Sequence, residues 1–335
     1  MEYRSLGRTG VQVSALCLGC MMFGQQSSEQ EAFFMIDRAL DEGINFLDTA
    51  NVYNRGRSEE TVGQALTRNG KRHRVIIATK VHGTMDHTDP NARGNSRRHI
   101  IEQCEASLKR LQTDYIDLYQ IHRPSAEIPM DETLRALDDL VRSGKIRYLG
   151  TSTYAAWQVV EALWISKELG LHRVISEQPP YNLLDRRIER ELLPMAQTYG
   201  LAILPWSPLA EGFLTGKYRP KTAPPADSRL AKDLTWFTTQ FTDSAFQVLQ
   251  RVETLAREKA CTPSQVALAW CMQQPGITSP IIGPRTLAQL EDNLGALSIQ
   301  ITDDDRKQLD EVAPPGRVIV PYYEANFGPH IYHWT

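Results

Sequence analysis

Two short apolar runs, IDLYQI (116–121) and IRYLGT (146–151), are separated by the amphipathic segment MDETLRALDDLVRS (130–143). The runs are rich in β-branched and aromatic residues, which is typical of buried strands. Four apolar residues of the middle segment recur at helical spacing: Leu134, Leu137, Leu140 and Val141. Gly144 follows them as a helix stop signal. This stretch therefore predicts one strand–helix–strand unit.

The same alternation continues on both sides of this unit. Glu29–Glu42 is a second amphipathic segment, and Gly43 stands where its helix should end. Eight apolar runs qualify as strands: Ala15–Leu18, Asn45–Leu47, Val75–Thr79, Ile116–Ile121, Ile146–Thr151, Val174–Glu177, Ala202–Pro205 and Ser279–Ile282. Short buried strands that alternate with longer helices are typical of β–α units around a parallel sheet.

Polar residues follow most of the predicted strands. The residues directly after the eight strands are Gly19, Asp48, Lys80, His122, Ser152, Gln178, Trp206 and Gly283. In a closed barrel all of these positions meet on one rim, where barrel enzymes place their chemistry. A doubly wound sheet would instead carry a G-x-G-x-x-G turn after its first strand, and residues 16–24 lack it. The sequence therefore predicts an α/β fold, a single-domain (β/α)8 TIM barrel.

No Gly/Ser-rich or charged linker divides the chain of 335 residues. We predict one domain, with a barrel core at 14–297 and a C-terminal helix and aromatic tail at 298–335. Longer inserts at 82–98 and 212–242 follow two of the strands, and inserts of this length on the working face are usually functional. The tail either folds over the barrel mouth or packs on the outer helices.

The overall composition is that of an ordinary globular protein. The formal net charge of −3 provides no basic field for nucleic acid, so a small-molecule partner is the better prediction. The sequence begins without the charged and apolar run of a signal peptide, and no apolar stretch approaches the roughly 18 residues of a membrane helix. These features predict a cytoplasmic protein with no membrane partner, either a monomer or a homo-oligomer.

The close pair Cys17 and Cys20, among five cysteines, suggests a redox or zinc site. Both cysteines lie in an apolar run that is typical of a strand, where their odd spacing points the two sulfur atoms to opposite faces. No second pair completes a metal set. We therefore expect ordinary packing and no metal.

Four side chains near neighbouring strand ends form a candidate catalytic set. Asp48, Lys80 and His122 follow the second, third and fourth strands, and Tyr53 lies five residues beyond Asp48. A tyrosine with a pKa of about 10 is a poor acid at neutral pH, but a nearby ammonium stabilises its phenolate and lowers that pKa. Lys80 supplies the ammonium, and Asp48 keeps it protonated. His122 orients the substrate oxygen.

Each of these residues taken alone has a structural interpretation. Asp48 could cap a helix, Lys80 could be a solvated strand end, and His122 could be a hydrogen-bonded core histidine. Their joint occurrence at three successive strand ends favours catalysis.

Five motifs occur in an order and spacing known from one family: LGRTGV (6–11), LGCMMFG (18–24), FLDTA (46–50) with Tyr53, ATK (78–80) and DLYQIH (117–122). Together, and over residues 3–297, they resemble the aldo-keto reductases. The resemblance implies that Asp48, Tyr53, Lys80 and His122 form a metal-free catalytic tetrad that reduces an aldehyde or ketone with a nicotinamide cofactor. Cys20 departs from that family's more common threonine or other small residue without affecting the mechanism.

A nicotinamide ring needs an aromatic face and polar groups for its carboxamide. Trp206 fits the first role, although a core aromatic is the alternative, and Ser152 and Gln178 fit the second. Many relatives have asparagine where this chain has Thr153, so the role of Thr153 is open. The segment 212–218 is similar to the family's pyrophosphate-binding loop. The cofactor residues implied up to this loop are Gly19, Met21, Asp48, Ser152, Gln178, Trp206, Ser207, Pro208, Leu209, Gly212 and Lys217.

The segment from Gly283 to Asn293 opens the last helix of the predicted barrel, where the helix dipole favours phosphate. Gln289 and Asn293 share one face of this helix, although Gln289 could merely complete a capping box with Thr286. The guanidinium of Arg285 suits the additional phosphate of NADP(H). We therefore predict NADP(H) as the cofactor, with NAD(H) possible.

Two other functions stay open at this point. One is a cofactor-binding regulatory or redox-sensing subunit with little turnover. The other is a lyase that uses Lys80 as a Schiff-base nucleophile. For the reductase, the predicted substrate is a small carbonyl compound or alcohol in contact with Phe23, Tyr53, His122 and Arg123.

Overall fold

A computed structural model of the chain describes residues 1–220, 222–225, 228 and 242–320. The strands in these ranges are β1 (Tyr3–Ser5), β2 (Gln12–Ser14), β3 (Cys17–Gly19), β4 (Phe46–Asp48), β5 (Ile76–Val81), β6 (Ile116–Ile121), β7 (Ile146–Ser152), β8 (Val174–Gln178), β9 (Ala202–Ile203) and β10 (Ile281–Ile282). The α-helices are α1 (Glu29–Asp41), α2 (Arg57–Asn69), α3 (Arg97–Leu111), α4 (Met130–Arg142), α5 (Ala156–Leu169), α6 (Leu192–Tyr199), α7 (Asp243–Glu258), α8 (Pro263–Met272), α9 (Leu287–Leu294) and α10 (Asp303–Val312).

Eight parallel strands form one curled sheet in the order β10-β3-β4-β5-β6-β7-β8-β9. Backbone hydrogen bonds join its two edges: the N–H of Ile281 donates to the carbonyl of Pro205 at 2.8 Å, and the N–H of Thr278 donates to that of Ile203 at 2.9 Å. Helices on the outside cover the sheet. The predicted (β/α)8 barrel is thereby confirmed.

An antiparallel hairpin of β1 and β2 precedes the barrel. Leu6 and Val13 of this hairpin are fully buried against the interior of the barrel at the amino ends of the strands. The inner apolar cluster formed there contains Leu6, Val13, Cys17, Phe46, Ala78, Leu118, Ile175, Ala202, Leu204 and Ile281. The hairpin therefore plugs the amino end of the barrel.

The side chains of a strand alternate between the barrel interior and the surrounding helices. Cys17 belongs to the inner apolar cluster and Cys20 to the core beneath the helices, as the predicted opposite orientation requires. The described residues contain no group of three or more His, Cys, Asp or Glu side chains that could hold a metal ion. Within the same ranges no helix is both long and apolar enough to span a membrane.

The C-terminal helix α10 packs against α7. Arg186 ties it to the barrel, because its guanidinium donates to Asp310 and to the carbonyl of Ala313, both at 2.5 Å. The aromatic tail beyond Val320, including Tyr322, and most of the insert at 221–241 lie outside the described residues.

Candidate active site

Three strands place polar side chains inside the carboxyl end of the barrel. Phe46, Ala78 and Leu118 point into the inner apolar cluster, so Asp48, Lys80 and Gln120, each two residues further along its strand, point inward one layer higher. Gln178 at the end of β8 joins this layer. We call Asp48, Lys80, Gln120 and Gln178 the polar layer.

Lys80 and Asp48 form a buried ion pair in the polar layer. Their side chains are 0% and 4% exposed. The ammonium of Lys80 donates to Oδ1 of Asp48 and also to the carbonyl of Thr49 at 2.8 Å. Burial alone lowers the pKa of Lys80, but the negative charge of Asp48, with a contribution from Tyr53, outweighs burial and raises it above its usual value. Lys80 is therefore an ammonium at neutral pH.

The second carboxylate oxygen of Asp48 is held by two amides. Gln178 donates to Oδ2 of Asp48 at 2.8 Å, and Gln120 donates to the same atom at 3.2 Å. Gln178 also donates to the amide oxygen of Gln120 at 3.3 Å. Both carboxylate oxygens are therefore paired, which is what a buried charge requires. Gln120 was not among the predicted site residues, although its inward direction follows from the strand period that links it to His122.

Tyr53 and His122 complete the predicted tetrad. The hydroxyl of Tyr53 lies 3.3 Å from the ammonium of Lys80, within hydrogen-bond distance. The rings of Tyr53 and His122 meet edge to face, with centroids 5.6 Å apart. Burial, followed by the charges of Lys80 and Arg123, holds the pKa of His122 well below its usual value. His122 is therefore neutral at pH 7 and carries one donor and one acceptor nitrogen.

The loop that carries Tyr53 has a strained backbone. Asn54 (φ +51°) and Arg55 (φ +55°) directly after Tyr53 both adopt left-handed conformations, which cost free energy in residues with a side chain. The amide of Asn54 holds the loop by donating to the carbonyls of Met21 at 3.0 Å and Phe23 at 2.7 Å. Asn54 thus fixes the position of Tyr53, a role that sequence reasoning missed because it depends on a tertiary contact.

The predicted carboxamide site lies at the ends of β7 and β8. The hydroxyl of Ser152 donates to the carbonyl of Gln178 at 2.9 Å. Thr153 has a left-handed backbone (φ +65°), and its hydroxyl accepts a hydrogen bond from Arg123. The amide oxygen of Gln178 receives no hydrogen bond from any described residue. These groups stand together at the mouth, above Asp48.

A buried carboxylate supports this loop from the outer side of the sheet. Glu177 is fully buried and accepts a hydrogen bond from the backbone N–H of Tyr154 at 3.0 Å. Burial raises the pKa of Glu177 to about 8, although hydrogen bonds from Thr151 and from the loop oppose this shift. Sequence reasoning missed Glu177 because it treated that position as the end of an apolar strand.

The predicted substrate residue Arg123 bridges several loops at the mouth. Its guanidinium also donates to the carbonyl of His122 at 2.9 Å and lies 6.0 Å from the ring centre of Trp206. Its backbone carbonyl accepts from Asn95 at 2.9 Å, within the insert that follows β5. Phe23, by contrast, is fully buried in the core beneath the helices.

The loop after β9 contains a second strained segment. Ser207, Ala210 and Glu211 have φ values of +52°, +49° and +55°, and Gly212 follows with +92°. Gly212 suits its positive φ, which residues with a side chain rarely adopt, and Nζ of Lys217 lies 2.9 Å from where a Cβ atom of residue 212 would stand. Successive left-handed residues turn backbone amides toward a common point and, with a lysine, form an anion-binding concavity. Pro208 and Leu209 lie between Ser207 and Ala210.

The segment after β10 combines a helix start with polar side chains. Thr286 caps α9 by accepting from the N–H of Gln289 at 3.3 Å. The side chain of Gln289 accepts a hydrogen bond from the backbone N–H of Arg285 at 2.9 Å. In the capping box that was the alternative for Gln289, this side chain would accept from the backbone N–H of Thr286 instead. Asn293 is buried one turn further on, and Gly283 is exposed at the rim.

The chain matches the model of the Aldo/keto reductase family over residues 15–314. It is 40% identical to "Uncharacterized oxidoreductase YrpG" of Bacillus subtilis (strain 168), over 94% of this chain and 97% of that protein. It is also 40% identical to "Probable voltage-gated potassium channel subunit beta" of Oryza sativa subsp. japonica, over 89% and 92%. Versiconal hemiacetal acetate reductase of Aspergillus parasiticus is 35% identical over 94% and 98%.

One assignment follows from the barrel, from these matches and from the arrangement of four side chains: Asp48, Tyr53, Lys80 and His122. The chain belongs to the aldo/keto reductase family. The predicted family resemblance is thus confirmed, and the chain is an oxidoreductase of the nicotinamide-dependent kind that acts on small molecules.

Proposed function

We propose that this protein reversibly reduces an aldehyde or ketone to an alcohol, with NADPH as the hydride source and Tyr53 as the proton donor. One observation carries the proposal: the ammonium of Lys80 contacts the hydroxyl of Tyr53 at 3.3 Å while Asp48 holds it in the charged form. A phenol next to a fixed cation can release its proton at the moment when negative charge develops on the substrate oxygen.

Each tetrad residue then has a distinct task. Tyr53 places its proton on the carbonyl oxygen of the substrate. Lys80 stabilises the phenolate that remains, and Asp48 prevents Lys80 from losing its charge in a buried site. His122 is neutral, so its N–H can donate to the same carbonyl oxygen and fix its direction without competing as an acid.

The residues at the mouth fit a nicotinamide dinucleotide. When bound, the nicotinamide supplies the hydride. Trp206 offers an aromatic face, and Ser152 and Gln178 offer a hydroxyl and a free amide oxygen for the carboxamide. The left-handed segment around Gly212, with the ammonium of Lys217 close to it, suits a diphosphate because successive left-handed residues and a lysine form an anion-binding concavity.

Further cofactor contacts in the proposal come from the strand ends and α9. We propose that Gly19, Met21 and Asp48 contact the nicotinamide part of the cofactor, and that the adenosine phosphate binds at four residues in and before α9: Gly283, Arg285, Gln289 and Asn293. We propose Tyr53, His122 and Arg123 as substrate contacts. The substrate itself, the cytoplasmic location and the oligomeric state stay predictions.

The proton donor is tested by Tyr53→Phe, which removes one hydroxyl and keeps the ring. We expect turnover to fall by a factor of about 10² to 10⁴ while the affinity for NADPH stays unchanged. Tyr119→Phe is the matched control, because Tyr119 is also on the barrel but fully buried, with its hydroxyl 3.5 Å from the carbonyl of Ile100. Near-normal carbonyl reduction by Tyr53→Phe would reject Tyr53 as the acid.

A panel of aldehydes, ketones and sugars, assayed with NADPH and with NADH, identifies the substrate class and the cofactor together. Consumption of neither cofactor with any member of the panel would count against a general reductase.

A regulatory subunit with bound cofactor is the second candidate. The relative from Oryza sativa named as a channel subunit beta favours it. Steady-state turnover separates the two: a reductase releases the oxidised cofactor and cycles many times, whereas a sensor completes one slow turnover and retains it. Single-turnover and multiple-turnover rates measured on the same substrate decide between them.

The hypothesis of a Lys80 Schiff base is not favoured by the geometry. Lys80 is an ammonium with three hydrogen-bond partners, Asp48, Thr49 and Tyr53, and it is fully buried. A nucleophilic lysine needs a lowered pKa and access to the substrate carbonyl carbon. Lys80 has neither.

A further inference from the structure

A groove of about 350 Å³ lies at the amino end of the barrel, at the opposite end from the tetrad. Residues near the starts of β7 and β8 and residues in the turn of the β1–β2 hairpin line it. Its lining residues include three arginines from three separate segments: Arg8, Arg147 and Arg173. A volume of this size is that of a small-molecule site.

The hairpin turn brings Arg8 to the groove. Thr9 fixes the turn, because its hydroxyl donates to the carbonyl of Leu6 at 2.9 Å and accepts from the N–H of Val11 at 3.1 Å. The stem of Arg8 lies directly on Gly200, where a Cβ atom would be only 2.1 Å from Cγ of Arg8. Gly200 is therefore the residue that lets Arg8 reach across to β8.

The other two arginines are held by groups at the ends of neighbouring helices and loops. The guanidinium of Arg147 stacks over the ring of Tyr115 at 4.6 Å and donates to the carbonyl of Gly144 at 3.1 Å. Arg173 donates to the carbonyl of Tyr199 at 2.8 Å. Both hydrogen bonds use neutral partners, and no carboxylate of a described residue lies within hydrogen-bond distance of either guanidinium. The nearest acidic influence on Arg147 is electrostatic, because its charge acts to lower the pKa of Asp117, which Arg72 already pairs.

No acidic residue stands among the described residues that line the groove. His172, which also lines it, is bound through Nδ1 to Asp138 at 2.6 Å, and Asp138 additionally accepts from Arg142. Burial and the nearby charge of Arg8 both lower the pKa of Arg173, as expected of cations that approach each other without an anion between them. An anion in the groove would relieve this repulsion.

The floor of the groove is of a different kind. Val141, Tyr148, Leu149 and Ile175 line the same groove and form its apolar and aromatic part, which we call the floor. We propose that this groove binds a small organic anion, with its aromatic or aliphatic body on the floor and a phosphate or carboxylate group between Arg8, Arg147 and Arg173. Guanidinium groups recognise both kinds of anion through paired, charge-assisted hydrogen bonds.

Calorimetric titration with three matched probes tests the proposal: 1-naphthyl phosphate, 1-naphthoate and neutral 1-naphthol. The two anions should bind and the naphthol should bind at least tenfold more weakly, and the order of the anions tells phosphate from carboxylate. Inorganic phosphate should bind more weakly than naphthyl phosphate, because it lacks the apolar body.

Arg173→Gln, Arg147→Gln and Arg8→Gln should each weaken anion binding about tenfold or more. Arg8 is exposed, so its replacement keeps the test valid if either sheet variant folds poorly. Arg257→Gln, on the outer helix α7, and Arg285→Gln, at the proposed cofactor site, should leave the affinity unchanged. The proposal is overturned if the anions fail to bind at millimolar concentration, if naphthol binds equally well, or if only Arg285→Gln abolishes binding.

Discussion

The inner apolar cluster and the polar layer are built from alternate inward positions of the same strands. Phe46 and Asp48 on β4, or Ala78 and Lys80 on β5, stand two residues apart and are buried to nearly the same degree. Burial therefore does not distinguish the two ends of the barrel. What distinguishes them is how each buried group is solvated, by close packing at one end and by polar partners at the other.

The polar layer depends on complete pairing in a way that the inner apolar cluster does not. Asp48 accepts hydrogen bonds from Lys80, Gln120 and Gln178. If one partner is lost, a buried charge remains in a medium that cannot solvate it. The apolar end loses only packing and apolar burial when a side chain is shortened. The two ends should therefore respond differently to substitution.

Lys80→Met is expected to have the largest effect. This substitution keeps most of the aliphatic stem of Lys80, but it removes the charge next to Tyr53 and leaves the buried carboxylate of Asp48 without its cation. Turnover should fall by about 10²-fold or more, and the free energy of unfolding should fall by about 3–5 kcal/mol. The pH optimum for alcohol oxidation should move or vanish, because the cation beside Tyr53 is gone. Steady-state rates against pH and urea denaturation measure these effects.

The double variant Asp48→Leu, Lys80→Met separates the two roles of the pair. Replacement of a whole buried ion pair by apolar groups is often neutral for stability. We therefore expect the double variant to recover stability without recovering turnover. An unshifted pH profile and a normal rate in Lys80→Met would mean that Lys80 is only structural.

Phe46→Ala probes the opposite end of the same strand. Its side chain is fully buried in the inner apolar cluster, and its removal should lower the free energy of unfolding by about 3–5 kcal/mol. Turnover per folded molecule should stay within a few-fold of the normal value, because Phe46 belongs to the inner apolar cluster and not to the polar layer. A collapse of turnover in a folded Phe46→Ala variant would break the distinction between the two ends.

The sequence predicted long strands better than short ones. Strand β6 has the predicted bounds, because five of its six residues are buried and the run gives a clear pattern. Strands β9 and β10 contain two residues each, whereas four were predicted for each. An apolar run in the sequence indicates that residues are buried, but it does not show which of them form backbone hydrogen bonds with a neighbouring strand. The β1–β2 hairpin was not predicted, because three-residue strands give too short a pattern.

The candidate site divides in a similar way. The clustering of Asp48, Lys80 and His122 could be predicted, because the carboxyl ends of parallel strands share one rim. Asn54 and Glu177 could not, since their partners are backbone groups of distant segments. The φ values of the loop after β9 likewise depend on tertiary packing and not on local residue type.

Glu177→Gln tests the comparison at a buried carboxylate that no cationic side chain of the described residues contacts through a hydrogen bond. The folded-state pKa of about 8 lies above the ordinary value of 4.5. Between these two pH values the unfolded chain releases a proton that the folded chain keeps, so stability falls as pH rises, by up to about 1.4 kcal/mol per pH unit. The Gln variant should lose this slope and be more stable than the wild type by a few kcal/mol at pH 8.

Denaturation curves at pH 5, 6, 7 and 8 check this expectation. Glu161→Gln, an exposed carboxylate on α5, serves as the control and should follow the wild-type curve. If the Glu177→Gln and wild-type stabilities change in parallel over this range, Glu177 does not titrate as argued.

Arg285→Ala extends the comparison from the buried polar layer to the solvated rim, where the effect should be smallest. NADPH differs from NADH by one phosphate, and the half-buried guanidinium of Arg285 stands just before α9, whose N-terminus favours negative charge. One charge-assisted hydrogen bond contributes about 1.5–3 kcal/mol, which corresponds to a tenfold or larger change in affinity. No acidic residue lies between Gly283 and Gln289, where an NAD-selective site would place a carboxylate against the ribose.

We therefore expect Arg285→Ala to raise the dissociation constant of NADPH about tenfold or more and to leave that of NADH nearly unchanged, with the free energy of unfolding within about 0.5 kcal/mol of the wild-type value. Equal losses for both cofactors, measured by fluorescence titration, would instead assign Arg285 to the shared diphosphate, and the preference for NADPH would then need another cause.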